Sequence, residues 1–413
     1  MKKYIFFTGS ICNMGGAEQY INNKIQRLKK QGFDAYVFSS RRGNVLIDSL
    51  KKFEKLRFYQ LGLPPYIFAK SYVNKTIEKL CAAIDYTSTD SVFIESTDYG
   101  MAQWGEILAK EITAKHVCII LQEQHSYPDY IQDFLYFKYI RKELYGINEK
   151  SVAQMLPNYE IANNMFYIDA ECTDVVKDIP NNCIPDLPLS DWNICSIGRL
   201  DKNYVLNGVN EIVTFANNHP NKKINLVLVG GGSDGAIELI HKSIGHAENV
   251  RTFITGFVFP IPLELLMQMD CFFGSAGSSR IPIRYNKPSI SYSAAGDCLG
   301  ILNYTTTQTL YKKEDDNEIR MSFLLEEILI NNYCDTHQTL GMESEFTDYQ
   351  KEFKRQLSFF DNPDFDGTYY DFSNKVMMTN KEKVYKLLSC IMGGSIFESF
   401  QNFLHSMKRQ RIK

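Results

Sequence analysis

The segment 193–234 constrains the possible fold more than any other part of the chain. It reads as a buried strand, a basic turn, an amphipathic helix and a second buried strand that ends in glycines. Residues 193–197 and 224–229 are short apolar runs, as expected of parallel strands covered on both faces. Between them, four apolar residues recur at helical spacing and give the helix one apolar face: Val209, Ile212, Val213 and Ala216. The segment therefore predicts a strand–helix–strand unit of a parallel sheet.

The two loops at the carboxyl ends of these strands carry groups suited to a phosphorylated ligand. Arg199 and Lys202 follow the first strand, and a glycine run that includes Gly231 follows the second. Ligands of open parallel sheets bind at these strand ends. Fixed cations beside glycines that let backbone amides approach closely suit a diphosphate. The same two cations are equally compatible with ordinary surface charges.

The composition indicates a globular protein of two or three domains. The chain has 413 residues, of which 44% are hydrophobic and 23% charged. Its net charge of -3 gives no general attraction to nucleic acid. Ten cysteines without a CxxC pair or a Cys/His cluster argue against a structural zinc and a disulfide framework, and favour a reducing compartment. No apolar run reaches the roughly 18 residues of a membrane span.

The amino-terminal half repeats this design. Residues 4–8 predict a strand, followed by a loop that ends in Gly15 and Gly16 and by a helix that begins at residue 17. Paired glycines after a first strand are also common in purely structural turns. The chain therefore holds two halves, each predicted to be doubly wound, and the proline- and asparagine-rich stretch 178–191 is the best linker candidate.

A carboxylate and an imidazole follow another predicted strand of the first half. Glu123 and His125 lie just beyond the carboxyl end of the strand over residues 117–121. They could act as acid, base or transition-state support. Alternatively, His125 only hydrogen-bonds within its loop. The aromatic-rich stretch 129–144 predicts a helical region that forms core and acceptor wall.

Several short motifs together resemble the GT-B-type glycosyltransferases of the large retaining family 4, which includes bacterial lipopolysaccharide and capsule transferases. The matching motifs lie within roughly the first 300 residues, in the order expected of that family: NMGGAEQYINN, IPNN, SIGRLDKNY, LVLVGGGSD, NVRTFITGFV, MDCFFGS and NKPSI. Each motif alone is short and permissive. Their order and spacing make the resemblance specific for the fold.

The resemblance implies two Rossmann-like, doubly wound domains that face each other across a cleft. Residues 1–183 would form the acceptor domain and residues 184–375 the donor domain, with the helices of residues 376–413 crossing back to the first. Arg199 and Lys202 match the basic pair that neutralises the diphosphate of the donor. The loop glycines Gly15 and Gly16 match the glycine loop that lines the cleft.

One departure from the family follows the predicted strand at residues 271–273. The family carries two glutamates eight positions apart, but the sequence here is GSAGSSRIPIRYNKP, with Ile281 where the second would stand. The remaining loop offers amides and hydroxyls that could bind phosphate or ribose: Ser275, Gly277, Ser278 and Ser279. Arg280 and Arg284 could add charge. The alternative is a tight turn packed on the sheet.

The resemblance implies a cytoplasmic enzyme that moves a sugar from a nucleotide-diphosphate donor to a saccharide acceptor, lipid-linked, in surface polysaccharide assembly. It implies retention of configuration without cofactor or metal, because Arg199, Lys202 and helix amino termini supply the positive charge. The carboxyl terminus, KRQRIK after an apolar helical face, suits peripheral contact with the inner face of an anionic membrane, or a solvated tail.

Two alternatives stay open. A sugar-nucleotide epimerase with the GT-B fold would use the same diphosphate site, and would need carboxylates near the sugar, for which Glu95, Asp98 and Glu123 are the candidates. A catalytically silent GT-B protein that binds a partner is favoured by the missing glutamates.

Overall fold

The computed structural model describes residues 1–12, 14–41, 43–122, 127, 129–148, 150–161, 166–172, 176–184, 186–312, 319–341, 348–361, 365–372, 378–392, 396–397 and 399. The chain divides into two compact units. We call Met1–Glu171 with Thr347–Lys413 the first unit, and Cys172–Phe346 the second unit. The chain thus returns to the first unit at Thr347, earlier than the limit at residue 375 expected from the sequence.

Strands and helices alternate through both units, as in other doubly wound proteins. The strands of the described part are β1 (Lys2–Thr8), β2 (Phe33–Ser39), β3 (Ser91–Ser96), β4 (Lys115–Ile119), β5 (Leu144–Tyr145), β6 (Val176–Lys177), β7 (Trp192–Ile197), β8 (Ile224–Val229), β9 (Val250–Gly256), β10 (Ile261–Pro262), β11 (Cys271–Ser275), β12 (Ser289–Tyr292) and β13 (Cys298–Ile301). The helices are α1 (Gly16–Lys30), α2 (Asp48–Lys51), α3 (Lys70–Ala83), α4 (Tyr99–Ile112), α5 (Asp129–Ile140), α6 (Ser151–Met155), α7 (Asn203–Asn218), α8 (Asp234–Ile244), α9 (Leu263–Met267), α10 (Gly277–Ile283), α11 (Met321–Leu329), α12 (Tyr333–Thr336), α13 (Tyr349–Ser358) and α14 (Asn380–Met392).

The first unit contains a five-stranded parallel sheet with the order β2-β1-β3-β4-β5. In β1 every residue after Lys2 is buried, which is the pattern of a parallel strand covered on both faces. Ile5 of β1 pairs with Tyr36 of β2 on one side and with Ile94 of β3 on the other. The strand order reverses between β1 and β3, and such reversals are where this class of sheet binds ligands.

A buried network of charged groups joins α4, β4 and α5. Lys138 Nζ lies 2.8 Å from Glu106 Oε2 and 2.6 Å from Glu143 Oε2. His116 contacts Glu106 through Nδ1 and Ser96 Oγ through Nε2, both at 2.8 Å. Burial, and next the charge of Lys138, lowers the pKa of His116 to about 4. The imidazole is therefore neutral at pH 7, and Lys138 is the cation that offsets the two buried carboxylates.

The carboxyl-terminal segment completes the first unit. Tyr20 of α1 donates its hydroxyl hydrogen to Gln356 Oε1 of α13 at 3.0 Å. The backbone N–H of Tyr370 donates to Glu106 Oε1 at 2.9 Å, which ties the segment to the buried charge network. Helix α14, from the carboxyl-terminal residues expected to return to the first domain, also belongs to this unit.

The second unit contains a six-stranded sheet with the order β13-β12-β11-β7-β8-β9. All its described pairings are parallel except that of β12 with β13. We number the six strands by their order in the chain, β7 as the first and β13 as the sixth. Read from β9 to β13, the sheet then has the order 3-2-1-4-5-6, which is the Rossmann arrangement. The predicted strand–helix–strand segment is present as β7, α7 and β8, and its apolar helical face is buried in the core. The α/β fold class predicted from the sequence is confirmed.

The predicted helical region 129–144 is shorter than expected. Helix α5 ends at Ile140, and Leu144 with Tyr145 forms strand β5 beside β4. Lys142, between them, has a φ of 57°, a left-handed conformation that does not continue a helix. Aromatic and aliphatic residues continue through both elements, so apolar periodicity did not locate the boundary.

Candidate functional site

The second unit has a candidate ligand-binding edge at the carboxyl ends of β7 and β11. The two strands are neighbours, with Ile194 paired to Cys271, and the order of the sheet reverses between them. The loop after β7 leads to α7, and the turn after β11 leads to α10. In a sheet of this arrangement, the crevice for a nucleotide opens at this edge.

The loops after β7 and β8 are locked together through backbone groups. The N–H of Gly198 donates to Val229 O at 2.9 Å, and the N–H of Leu200 donates to Gly231 O at 3.0 Å. A Cβ atom on Gly230 would lie 1.8 Å from the carbonyl oxygen of Gly198. Gly230 is therefore required for close approach of the two loops, and this contact fixes the loop that carries Arg199.

Arg199 and Lys202 both lie in the loop after β7. The Arg199 side chain is 41% exposed, and its Nε lies 3.7 Å from Asp201 Oδ1, a loose contact between two exposed groups. Lys202 precedes α7 and accepts a hydrogen bond from the N–H of Val205 through its carbonyl at 3.0 Å. The loop thus brings the predicted basic pair to the edge, while their contact with a diphosphate remains a prediction.

The turn after β11 has a strained backbone. Ala276 has φ 54° and ψ -133°, a conformation that L-residues rarely adopt and that is enriched at functional sites. The hydroxyls of Ser278 and Ser279 donate to the carbonyls of Ser275 and Ala276, both at 2.8 Å. Ser275 Oγ donates to Thr309 O at 3.3 Å.

These contacts change the expected role of the serines. Their hydroxyl hydrogens are bound to carbonyl oxygens, and a phosphate would need them as donors. The prediction that the hydroxyls of Ser275, Ser278 and Ser279 bind phosphate is therefore not supported by their geometry. The turn instead offers the first backbone N–H groups of α10, beginning at Gly277, which have no acceptor within the helix.

An exposed aromatic side chain lies near this edge and was not singled out from the sequence. Phe257 follows β9 and is 45% exposed. Its ring covers Gly231, because a Cβ on that glycine would meet the ring at 2.3 Å. Gly231 thus has a packing role, and its contact with phosphate stays a prediction. The sequence motif TGFV indicates such a residue, because it places an aromatic side chain directly after a strand and a glycine. In the structure this glycine, Gly256, has a φ of 70°.

In the first unit, Gly15 and Gly16 begin α1. Gly15 donates its backbone N–H to Glu18 Oε2 at 3.1 Å, and its carbonyl accepts from the N–H of Gln19 at 3.0 Å. Gly16 is the first residue of the helix. The amide of Gly15 is thus occupied by a side chain of its own helix, and the role of both glycines in lining a cleft stays a prediction.

Asp98 lies at the carboxyl end of β3, beside the reversal of strand order in the first unit. Its Oδ1 accepts from the N–H groups of Gly100 and Met101 at 2.9 and 3.1 Å, and its Oδ2 accepts from Gln122 Nε2 at 3.2 Å. Burial raises the pKa of Asp98, against the opposing effects of Met101, Arg41 and Gly100. From the sequence, Asp98 is a candidate only for the epimerase alternative, and the structure shows it as the N-terminal cap of α4.

Two further candidate carboxylates come from the sequence, Glu95 and Glu123, and the structure describes only the first. Glu95 is completely buried and pairs with Lys24 of α1 and with the Tyr4 hydroxyl. Glu95 is therefore part of the core, and its burial and its partners do not support it as a carboxylate of the epimerase alternative. Glu123 and His125, the predicted catalytic residues, lie outside the described residues.

Together the two Rossmann-like units define the GT-B fold of glycosyltransferases and related sugar-nucleotide enzymes. A glycosyltransferase from Rickettsia africae matches with a TM-score of 0.54 and 15% identity, over 87% of this chain and 93% of that chain. A mutant of S. aureus TarM, solved with fondaparinux, alpha-GlcNAc-glycerol and UDP, has a TM-score of 0.55 and 10% identity, over 87% and 99%. Anabaena Alr3699/HepE, solved with UDP, has a TM-score of 0.50 and 13% identity, over 87% and 100%. At these identities the similarity concerns the fold.

Other comparisons and searches gave no match. No protein-family model matches the chain, and no curated protein matches it. Among the described residues, none of the helices is both long enough and apolar enough to cross a membrane. In the same part of the chain, His, Cys, Asp and Glu side chains form no group of three that could hold a metal ion.

Proposed function

We propose that the chain is a GT-B glycosyltransferase of the retaining family 4 type. It transfers a sugar from a nucleotide-diphosphate donor to a saccharide acceptor, lipid-linked, in the assembly of bacterial surface polysaccharide in the cytoplasm. TarM and HepE were solved with UDP, and UDP is therefore the first nucleotide to test. The transfer uses no metal and no cofactor.

The observation that carries this proposal is the pairing of β7 with β11. It brings the loop of Arg199 and Lys202 to the same sheet edge as the amino end of α10. A diphosphate at this edge has two cations on one side and backbone N–H groups on the other. These groups stabilise the negative charge that develops on the leaving nucleotide.

Bond changes in the transfer balance without a further reactant. The bond between the anomeric carbon and the diphosphate oxygen breaks, and a bond from that carbon to an acceptor hydroxyl oxygen forms. The acceptor proton passes to the departing diphosphate oxygen. The positive charges of Arg199 and Lys202 lower the barrier because they stabilise the transition state more strongly than they stabilise the bound donor.

We assign the nucleobase to the side of the edge formed by β8 and β9. In a Rossmann sheet, a bound nucleotide extends from the reversal of strand order across the carboxyl ends of the neighbouring strands. Phe257 offers an exposed ring there, and stacking on an aromatic ring is worth about 1–3 kcal/mol per base. We expect Phe257→Ala to weaken UDP binding by about tenfold or more, measured by calorimetry.

The test of the proposed function is a thermal-shift series with UDP, GDP, ADP and CMP, and with their sugar conjugates. A ligand at a hundred times its Kd adds about 2.7 kcal/mol of stability, which is easily detected. We expect a shift with UDP that Arg199→Ala abolishes. Arg251→Ala is the matched control, because Arg251 is exposed at the amino end of β9, the opposite edge of the same sheet.

Each outcome distinguishes the candidate functions. No shift with any nucleotide would contradict the proposal and favour a catalytically silent protein that binds a partner. A shift with UDP, followed by interconversion of the UDP-sugar without an acceptor, would favour an epimerase. Transfer of labelled sugar from the donor to an acceptor, lost in Arg199→Ala and kept in Arg251→Ala, supports the glycosyltransferase.

A further inference from the structure

Helix α14 has one side that packs on the first unit. Ser389 is buried and donates its hydroxyl hydrogen to Ile67 O at 2.7 Å. Phe397, just beyond the helix, is completely buried. The centroid of its ring lies 6.0 Å from that of Phe68 and 5.8 Å from that of Tyr385. The orientation of α14 on the unit is therefore fixed by contacts on this side.

The other side of α14 carries large apolar side chains in solvent. Val384, Leu387 and Ile391 are 54%, 60% and 72% exposed. At 100° per residue they fall within an arc of about 60° and form a single stripe along the helix. Ile396, beyond the end of the helix, is also 60% exposed. Single exposed apolar residues are normal on proteins, whereas an aligned group marks an interaction surface.

Helix α14 places a cation beside this stripe and turns its acidic side chain away from it. Glu382, the one acidic residue of α14, is turned to the packed side, where its Oε1 accepts from the hydroxyls of Tyr66 and Tyr130, both at 2.9 Å. Lys383 is exposed near the stripe. In sequence, residues 380–413 contain seven Lys and Arg and two Glu, although the whole chain has a net charge of -3.

We propose that this face of α14 docks on an anionic phospholipid surface. An amphipathic helix with an apolar stripe and flanking cations lies in the interface of an anionic bilayer, where apolar burial and charge attraction add together. The proposal deepens the proposed function and rests on it for its purpose, since a lipid-linked acceptor would lie in the same surface. The docking itself does not depend on sugar transfer.

Charge favours this occupant over a second copy of the chain. A copy would bring the same cations against the stripe, and like charges oppose each other across an interface. An anionic headgroup layer pairs with them and releases bound counterions. We therefore expect binding to fall with added salt and to require anionic lipid.

The experiment is flotation of the full chain with vesicles of phosphatidylglycerol and phosphatidylcholine, compared with vesicles of phosphatidylcholine alone. We expect the protein to float with the anionic vesicles only. The double variant Leu387→Glu/Ile391→Glu should reduce the bound fraction about tenfold or more, because each buried aliphatic side chain contributes strongly to transfer out of water. The matched control is Leu239→Glu/Phe323→Glu, which adds the same charge at side chains that are 53% and 59% exposed in the second unit.

Two readouts keep the result decisive. UDP thermal shifts of both double variants show whether they are folded and still bind nucleotide, so failure of docking is separated from failure of the proposed function. The fluorescence of an environment-sensitive dye on Cys390, the one exposed cysteine of the chain, should shift to the blue with anionic vesicles. Equal flotation of wild type and the α14 variant would overturn the proposal. So would concentration-dependent dimerisation that only this variant loses, because the stripe would then bind a second copy.

Discussion

Replacing Gly230 by alanine tests whether the two loops of the candidate donor site are held in place by their close approach. A Cβ at this position would lie 1.8 Å from Gly198 O, while real Cβ contacts stay above 3.0 Å. The loops after β7 and β8 would have to separate by about 1.2 Å. Gly230 is not among the glycines with positive φ, so the clash itself, and not backbone strain, is the cause.

The cost has two parts. Forcing extra volume between well-packed groups costs about 1–3 kcal/mol. Separating the loops also stretches the hydrogen bond from Leu200 N–H to Gly231 O, and a hydrogen bond of this kind contributes about 0.5–1.5 kcal/mol. We therefore expect Gly230→Ala to lower the free energy of unfolding by about 2–4 kcal/mol. The Tm of the second unit should fall by roughly 4–16 °C.

Differential scanning calorimetry with and without UDP measures both consequences. The variant should lose stability and should also bind UDP more weakly, because the displaced loop carries Arg199. Gly235→Ala is the matched control: this glycine lies in α8 with nothing within 4 Å of an added Cβ, and alanine there should stabilise the helix by about 0.5–1 kcal/mol. If Gly230→Ala melts like the wild type and binds UDP as tightly, the idea of locked loops is refuted.

Three further substitutions test the strained turn and the buried charge network. Ala276→Gly should raise the free energy of unfolding by about 1 kcal/mol, because glycine adopts the observed positive φ without strain, and denaturant titration would show no gain if the turn were relaxed. Burial lowers the pKa of His116 from 6.5 to about 4, so the unfolded chain binds the proton first and stability should fall as pH drops between these values. Across that window the urea midpoint should vary less with pH in His116→Gln than in the wild type. The same pH dependence in both proteins would exclude His116 as the cause. Lys138→Met should cost about 3–5 kcal/mol, because it leaves Glu106 buried without its cation, whereas Lys110→Met, at an exposed position of α4, should be nearly neutral in the same titration.

Local patterns in the sequence predicted the elements, and long-range contacts decided the details of the site. Strands β7 and β8 were predictable because a buried parallel strand is apolar along its whole length, and α7 because one helical face is apolar. The turn after β11 was located correctly as a small-residue loop. From the sequence its serine hydroxyls are candidates for phosphate or ribose, because nothing local indicates that Ser275 meets the carbonyl of Thr309, 34 residues away.

Glu95 shows the same limit in the first unit. It follows apolar residues of a strand near the ligand-binding edge, and from the sequence it is one of three candidate carboxylates of the epimerase alternative. Lys24, its ionic partner, lies 71 residues earlier on α1, and a pairing at that distance leaves no periodic signal. The strained φ of Ala276 is likewise absent from the sequence, since glycine would be the residue expected there. Patterns of burial are therefore predictable here, whereas the partners of polar groups are not.

The return of the chain to the first unit has a consequence for the order of folding on the ribosome. The surface of α1 that includes Tyr20 is completed by Gln356, and the site of Glu106 receives the backbone of Tyr370. The first unit consists of Met1–Glu171 and Thr347–Lys413. At a synthesis rate of about 5–20 residues per second, on the order of 10–30 s pass between the synthesis of the end of the first segment and that of the start of the second. The second unit emerges whole during this interval. It can close its sheet while the first unit still waits for α13, which reverses the usual amino-to-carboxyl order of domain folding.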